Sequence, residues 1–282
     1  MTRQKHREGY RDERAAEPGK KRNEKRKSRR RRNRRKARIR FLASMLGTLL
    51  GAVLLVLVAY TALNLFCGFG KVNTQKLREQ GYPESLIALV ERNPETKDFV
   101  LDYPKYKGLE EIDISKEVTK GEIPHFLQWD ERWGYETYGS DFLAVTGCGP
   151  TCLSMVTCGL TGDTQWNPYE VAKMAEDNGY YVDGSGSSWE LMSSGAEKLG
   201  LTVSAVSFDE EHIRSTLESG QPIICVMGPG DFTDAGHFLV LTGVDENGDI
   251  ILRDPNSLER TKQHWDVQKL MNQMKNLWAY SY

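Results

Sequence analysis

Cys148 stands in Gly147-Cys148-Gly149-Pro150, directly ahead of the apolar run Thr151–Leu160. Proline fixes φ and lacks an N–H, so Pro150 suits the first turn of a helix and sets Cys148 at or beside its N-cap. The unpaired N–H groups and the dipole of a helix start favour an anion. A thiolate held there has a lowered pKa and is the nucleophilic form of cysteine. The flanking glycines leave the sulfur open to a substrate. Taken alone, the segment also fits a small cysteine packed at a helix start, the commoner use of a free cysteine.

A second segment supplies what a nucleophile needs. Gly236–Val244 reads as a strand with His237 at its head. Asp245-Glu246-Asn247-Gly248-Asp249 carries an Asn-Gly turn signal, and Ile250–Asn256 is the return strand, stopped by Pro255. With a loop of even length, strand parity puts Asp254 on the face of His237, Leu239 and Leu241. Asp254 then pairs opposite Leu239 or Leu241, near His237. One hairpin thus holds an imidazole beside a carboxylate that can orient it. A cysteine on a helix tip facing a His–Asp pair on a sheet is the nucleophile, base and orienter set of a cysteine hydrolase.

The stretch from Ile123 to Tyr282 resembles the papain-like cysteine peptidases related to the bacteriocin-processing (double-glycine) peptidases. The motifs that carry the resemblance are IPHFLQWDERWGYETYG, GCGPTCLSMV, GYYVDGSGSSWELM, PGDFTDAGHFLVLTGV and ILRDPNS, in that order along the chain. The resemblance implies an α+β, papain-like fold with Cys148 as nucleophile, His237 as general base and Asp254 as orienter. It also implies that Gln128 donates to the oxyanion hole. Gln128 lies 20 residues before Cys148, further than in compact members, so the aromatic segment between them must loop out.

Charge is distributed very unevenly. Residues 1–40 contain 20 Lys+Arg and 5 Asp+Glu, leaving 18 and 34 of the chain's 38 and 39 for the rest. No charged residue lies between Arg40 and Lys71, and Phe41–Phe66 is almost wholly apolar. A bilayer core needs about 20 helical residues, so this run is expected to span, as an uncleaved signal-anchor over 41–68. The basic arm before it stays in the cytoplasm by the positive-inside rule, which puts the remainder outside the cell membrane. A cleaved signal peptide has a shorter apolar region, about 7–15 residues. RRRRNRRKAR invites a nucleic-acid reading, but it lacks aromatics and abuts the apolar run. A disordered cytoplasmic tail against anionic lipid fits better. No nucleic-acid partner is expected.

Four regions follow: the arm, 1–40; the anchor, 41–68; a stalk with short helices, 69–121; and a peptidase domain, 122–282. In the stalk, Pro83–Arg92 has helical spacing and Asn93–Val100 opens a second short helix. In the domain, helices are expected over Pro168–Asn178 with Gly179 at C′, from Trp189 to Leu199 capped by Ser187 or Ser188, over Asp209–Ser219, and over Asp266–Lys275. The resemblance puts the glycine loop Asp183–Ser188 at the border of the cleft. Trp129, Trp133, Tyr135 and Tyr138 line a substrate cleft or pack over the central helix. The cysteines Cys67, Cys148, Cys152, Cys158 and Cys225 form no CxxC pair and no disulfide framework, and Cys152 falls on the core side of the helix. His125, His212 and His264 lack a strand-end partner and read as structural or surface residues. No spacing suits a metal, and neither metal nor organic cofactor is expected.

The expected activity is a membrane-tethered, extracytoplasmic thiol peptidase acting on a peptide or protein substrate. Two alternatives stand beside it: a cell-wall amidase or acyl transferase on the same fold, and a non-catalytic binding module. The presence of all four site residues weighs against the last.

Overall fold

The computed structural model describes residues 29–36, 38, 41–42, 45–49, 51–56, 58 and 72–282. The chain divides into two compact units, Met1–Gly70 and Lys71–Tyr282. In the first, the described residues are helical. The helix at 29–36 falls within the arm expected to be disordered, and arginine and lysine are good helix formers. Residues 1–28 and 59–71, Cys67 among them, lie outside the described residues. Among the described residues no helix is long and apolar enough to cross a membrane.

The second unit opens with three short helices, α1 (Thr74–Glu79), α2 (Glu84–Arg92) and α3 (Lys97–Asp102). Leu86, Ile87, Leu89 and Val90 give α2 an apolar stripe at helical spacing. The stripe joins Leu77, Phe99, Val100, Tyr135 and Ala144 in a small core. Residues 71–121, read from the sequence as a stalk that packs partly on the domain, lie within the second compact unit. The hairpin of β1 (Thr137–Tyr138) and β2 (Asp141–Phe142) follows, then α4 (Leu143–Thr146) and α5 (Cys148–Thr161). Every residue of α5 from Gly149 to Gly159 is buried, which marks a central helix rather than an amphipathic one. It ends at Gly162, whose φ of +79° suits only a residue without Cβ.

Next come α6 (Pro168–Asp177), β3 (Tyr181–Val182), β4 (Gly186–Ser187), α7 (Ser194–Lys198), β5 (Thr202–Ala205) and α8 (Glu210–Glu218). As expected, Gly179 follows the end of α6; Asn167 caps its start, and Gly220 follows α8. The helix expected from Trp189 to Leu199 is split into a 3-10 turn, Trp189–Met192, and α7. Ser193 between them leaves the helical region, with ψ of −91°. Ser188 takes the cap position without a side-chain bond.

The remaining elements are β6 (Ile223–Met227), β7 (His237–Val244), β8 (Ile250–Arg253), α9 (Leu258–Thr261), α10 (Val267–Met271) and β9 (Met274–Ser281). The expected last helix stops at Met271. The tail beyond it is a full strand inside an antiparallel five-stranded sheet of order β5-β9-β6-β7-β8. One face of the sheet packs on α5 through Ile224, Val226, Phe238, Val240 and Tyr280. The other is covered by Ile213 and Leu217 of α8 and Val267 and Leu270 of α10. The layout is α+β, with helices preceding most of the strands.

Strand parity works out differently from the expectation. Val244 pairs with Ile250, so the loop Asp245–Asp249 has five residues, an odd number. Carried on unbroken, that register would set Asp254 opposite Val240, on the wrong face for His237. A bulge at Thr242 shifts the pairing by one, to Leu241↔Leu252 and Val240↔Arg253. Continued one residue further, the new register sets Asp254 across from Leu239, on the face of His237.

Gly149 marks a close approach in the first turn of α5. A Cβ there would lie 2.4 Å from Ser187 Oγ and 2.7 Å from Ser187 Cβ. Ser187 is itself tied to the buried Tyr138 hydroxyl at 2.9 Å. Gly149→Ala should therefore lower the melting temperature, with overpacking costing about 1–3 kcal/mol, partly offset by the better helix propensity of alanine, about 1 kcal/mol. A thermal melt equal to or above wild type would contradict this packing.

Candidate active site

Cys148 is the first residue of α5, with Gly147 as an N-cap that supplies no side-chain bond. The residue is half-buried. It lines a cleft of about 420 Å³ together with Gln128, Val145, His237, Arg260 and the loop 230–236. Leu89, Arg92 and Asn93, at the end of α2, form another part of the wall. The glycine loop does not border this cavity; its Ser187 packs under α5 against Gly149. A second cavity, about 320 Å³ around Tyr106 and Tyr135, contains neither cysteine nor histidine.

His237 opens β7 and is buried, and Asp254 lies just past β8 with no exposed surface. His237 Nε2 bonds Asp254 Oδ1 at 2.7 Å. That bond leaves Nδ1 for the thiol. The second carboxylate oxygen, Oδ2, accepts from Arg260 Nε. Oδ1 also accepts from the Asn256 N–H at 2.8 Å, so Asp254 caps its own turn and holds the histidine at once. His125 donates from Nε2 to the Asp254 carbonyl at 2.7 Å, and the Asp254 N–H bonds Thr261 Oγ1 at 2.9 Å.

Electrostatics follow from these contacts. Burial alone would raise the Cys148 pKa. The hydrogen bond and charge of His237, with the N–H groups of Phe238 and Gly149, outweigh it, and the thiol lies below its ordinary value. Burial alone would likewise lower His237. The Asp254 carboxylate, then the Cys148 sulfur, reverse this and push it up to about 10. Burial opposes the Asp254 charge, yet His237⁺ and Arg260 hold its pKa below the usual value. The three groups are therefore shifted towards a thiolate, an imidazolium and a carboxylate in a row. Burial drives the other thiols the opposite way: Cys152 well above its ordinary value, Cys158 and Cys225 to about 12. Cys152 is core, as expected.

Gln128 is buried beside Cys148. Its Nε2 donates to the Ala144 carbonyl at 2.7 Å, while Oε1 is buried without a partner. An amide NH₂ has two N–H bonds, so the one not spent on Ala144 is available. The Gln128 main-chain N–H is anchored on Pro255 O at 2.7 Å, tying this residue to the turn that carries Asp254. The aromatic segment resolves in favour of packing. Trp133 and Tyr138 are fully buried in the core beneath α5, Tyr135 belongs to the α2 core, and Trp129 bonds Asn256 O at 3.2 Å.

The structure thus brings together all four residues singled out in the sequence. Arg260 and His125, which hold Asp254 from other sides, were not among them. Nothing in the spacing of Arg260, six residues after Asp254, signals its partner, and His125 lies 129 residues away. His264 pairs with Asp245 at the surface. Among the described residues no cluster of three or more His, Cys, Asp or Glu could hold a metal ion.

The profile of the Peptidase C39-like family matches residues 120–282. The chain belongs to this family. Curated proteins yield no match. Among solved structures, the crystal structure of the peptidase domain of Streptococcus ComA, a bifunctional ABC transporter involved in a quorum-sensing pathway, is similar at 19% identity and a TM-score of 0.37. It covers 48% of this chain and 91% of its own. The C39-like unit holds the whole Cys148–His237–Asp254 row, and α1–α3 precede the matched residues.

The ion-pair state predicts a reactivity contrast. Iodoacetamide should label Cys148 near neutral pH, well below the ordinary cysteine pKa of 9.0, and leave Cys152, Cys158 and Cys225 unlabelled in the folded protein. Peptide mapping by mass spectrometry reads this directly. Labelling of Cys148 no faster than of Cys225 would show that the thiol is not activated.

Proposed function

We propose that this protein is a membrane-tethered cysteine peptidase that cleaves peptide or protein substrates on the extracytoplasmic side. The observation that carries the reading is the 2.7 Å bond from His237 Nε2 to buried Asp254. It fixes the ring with Nδ1 facing a thiol that the same histidine acidifies.

The chemistry follows from the ion pair. The Cys148 thiolate attacks the scissile carbonyl carbon, and its electron pair forms the S–C bond as the carbonyl π electrons move to oxygen. The backbone N–H of Cys148, at the start of α5, and the second N–H of Gln128 Nε2 face that oxyanion. Each such donor is worth about 3 kcal/mol in related chemistry. Imidazolium His237 gives its Nδ1 proton to the leaving amine, and the C–N bond breaks. Neutral His237 then takes a proton from water, whose oxygen attacks the thioester. Collapse releases the carboxylic acid and restores thiolate and imidazolium. Asp254 keeps the ring in one orientation throughout and favours its charged form.

The tether rests on the uncharged run between Arg40 and Lys71 and the basic block before it. A span over residues 41–68 with the arm inside puts Cys148 outside. Protease added to intact cells should then digest the C39-like unit, and a reporter fused after Tyr282 should be active only in its extracytoplasmic form. A cytoplasmic reporter signal would overturn this topology.

The peptidase activity is tested by profiling the full chain on peptide libraries and on purified cell-wall fragments. Cys148→Ala should abolish cleavage of peptides, and a chelator should have no effect. Asp254→Ala should lose activity mainly in kcat. Asp254→Asn should keep more kcat, because its oxygen still accepts from His237. Its NH₂ would face Arg260, so the variant should be less stable than wild type by about 3 kcal/mol, read by denaturant unfolding. Turnover of wall fragments but of no peptide would replace the peptidase reading with the amidase one.

A further inference from the structure

The turn and helix that follow Asp254 are held from outside the C39-like unit. Asn93 Nδ2 donates to the Asn256 carbonyl at 2.5 Å and to Asn256 Oδ1 at 3.1 Å. Glu95 takes the start of α9 in both carboxylate oxygens. Oε1 accepts from the Ser257 hydroxyl. Oε2 accepts from the Leu258 N–H at 2.8 Å and the Glu259 N–H at 3.2 Å. Asn93 and Ser257 are buried. Two residues along from Glu259's neighbour Leu258, Arg260 grips Asp254 Oδ2. Asn93 and Glu95 precede the residues matched by the family, 120–282.

α9 has four residues, too few to be stable by itself. Its position depends on what holds its first N–H groups, and Glu95 is a charged acceptor for two of them. Asn93 fixes the other end of the same stretch, at Asn256, whose N–H already bonds Asp254 Oδ1. Both oxygens of Asp254 therefore meet donors whose places are set by α2 and the turn after it. We propose that Asn93 and Glu95 are positioning residues for the Cys148–His237–Asp254 row, acting through Asn256, α9 and Arg260. The segment before the C39-like unit then serves as a clamp that keeps the reactive thiol in its ion-paired state. Its seat at the cleft is consistent with this, since Leu89 and Arg92 line the same cavity.

The inference rests on the reading of Cys148 as an activated nucleophile, and the test separates the two. The rate of Cys148 alkylation by iodoacetamide is measured against pH in the full chain, for wild type, Asp254→Ala, Glu95→Ala, Glu95→Gln and Asn93→Ala. Glu84→Gln serves as a control; it alters an exposed ion pair with Arg78 in the same segment. A slackened Asp254 stabilises the imidazolium less, so the thiolate forms at higher pH. Glu95→Ala should raise the alkylation midpoint by about one pH unit, about tenfold less thiolate below the midpoint. Asp254→Ala should raise it further. Glu95→Gln, which keeps one acceptor oxygen, should fall between Glu95→Ala and wild type, and Glu84→Gln should match wild type. If Glu95→Ala does not fold, Glu95→Gln and Asn93→Ala carry the test, each with a raised midpoint.

A residue that only stabilises the fold would lower the melting temperature and leave the midpoint of the folded protein in place. That result for Glu95 and Asn93, beside a raised midpoint for Asp254→Ala, overturns the clamp and leaves the triad standing. A wild-type midpoint at the ordinary thiol value overturns both.

Discussion

A carboxylate with no exposed surface sets the terms for the rest of this structure. An isolated buried charge is unstable by several kcal/mol, so Asp254 exists as an anion only while its neighbours compensate it. His237, Arg260 and the Asn256 N–H do so. Each of those partners has its own demand. His237 must sit at the head of β7 with its face turned to Asp254, Asn256 must close a tight turn after Pro255, and Arg260 must be carried back by a four-residue helix. The bulge at Thr242, the anchoring of Gln128 on Pro255 O and the bonds from His125 all serve the same loop.

The consequence reaches the sulfur. A cysteine at the start of a buried helix gains from the helix dipole and local N–H groups but loses from desolvation. In Cys152, Cys158 and Cys225 desolvation wins, and their thiols lie far above the neutral range. At Cys148 the adjoining imidazolium tips the balance. That imidazolium exists because Asp254 is charged. The acidity of the Cys148 thiol is thus set two contacts away from the sulfur, at Asp254.

The sequence made three of the four candidate site residues legible because their types and order are rare in combination: a Cys ahead of Gly-Pro, a His heading an apolar strand, an Asp before Pro; Gln128 was legible only through the family resemblance. It did not reveal the path that unites two of them. β7 is apolar on both faces, so alternation along His237–Val244 cannot mark a bulge, and even loop parity gave the correct face for Asp254 through an incorrect register. Helices with strong stops, at Gly179 and Gly220, were readable to within a residue or two. β9 was not, because its mixed pattern, Met274–Ser281, becomes a strand only through its neighbours β5 and β6. Arg260, Asn93 and Glu95 carry no local signature. Their roles come from contacts as long as 164 residues in sequence, which no pattern along one chain encodes.

The protonation of His237 is the quantity on which the account turns, and it can be observed without any substrate. An NMR titration of the His237 ring carbons, assigned by loss of the signal in His237→Ala, should show an imidazolium through the neutral range, deprotonating only towards pH 10. The same titration in Asp254→Ala should fall back towards 6.5, the ordinary histidine value. A wild-type ring that titrates near 6.5, unaffected by loss of Asp254, would contradict the ion pair and with it the proposed nucleophile.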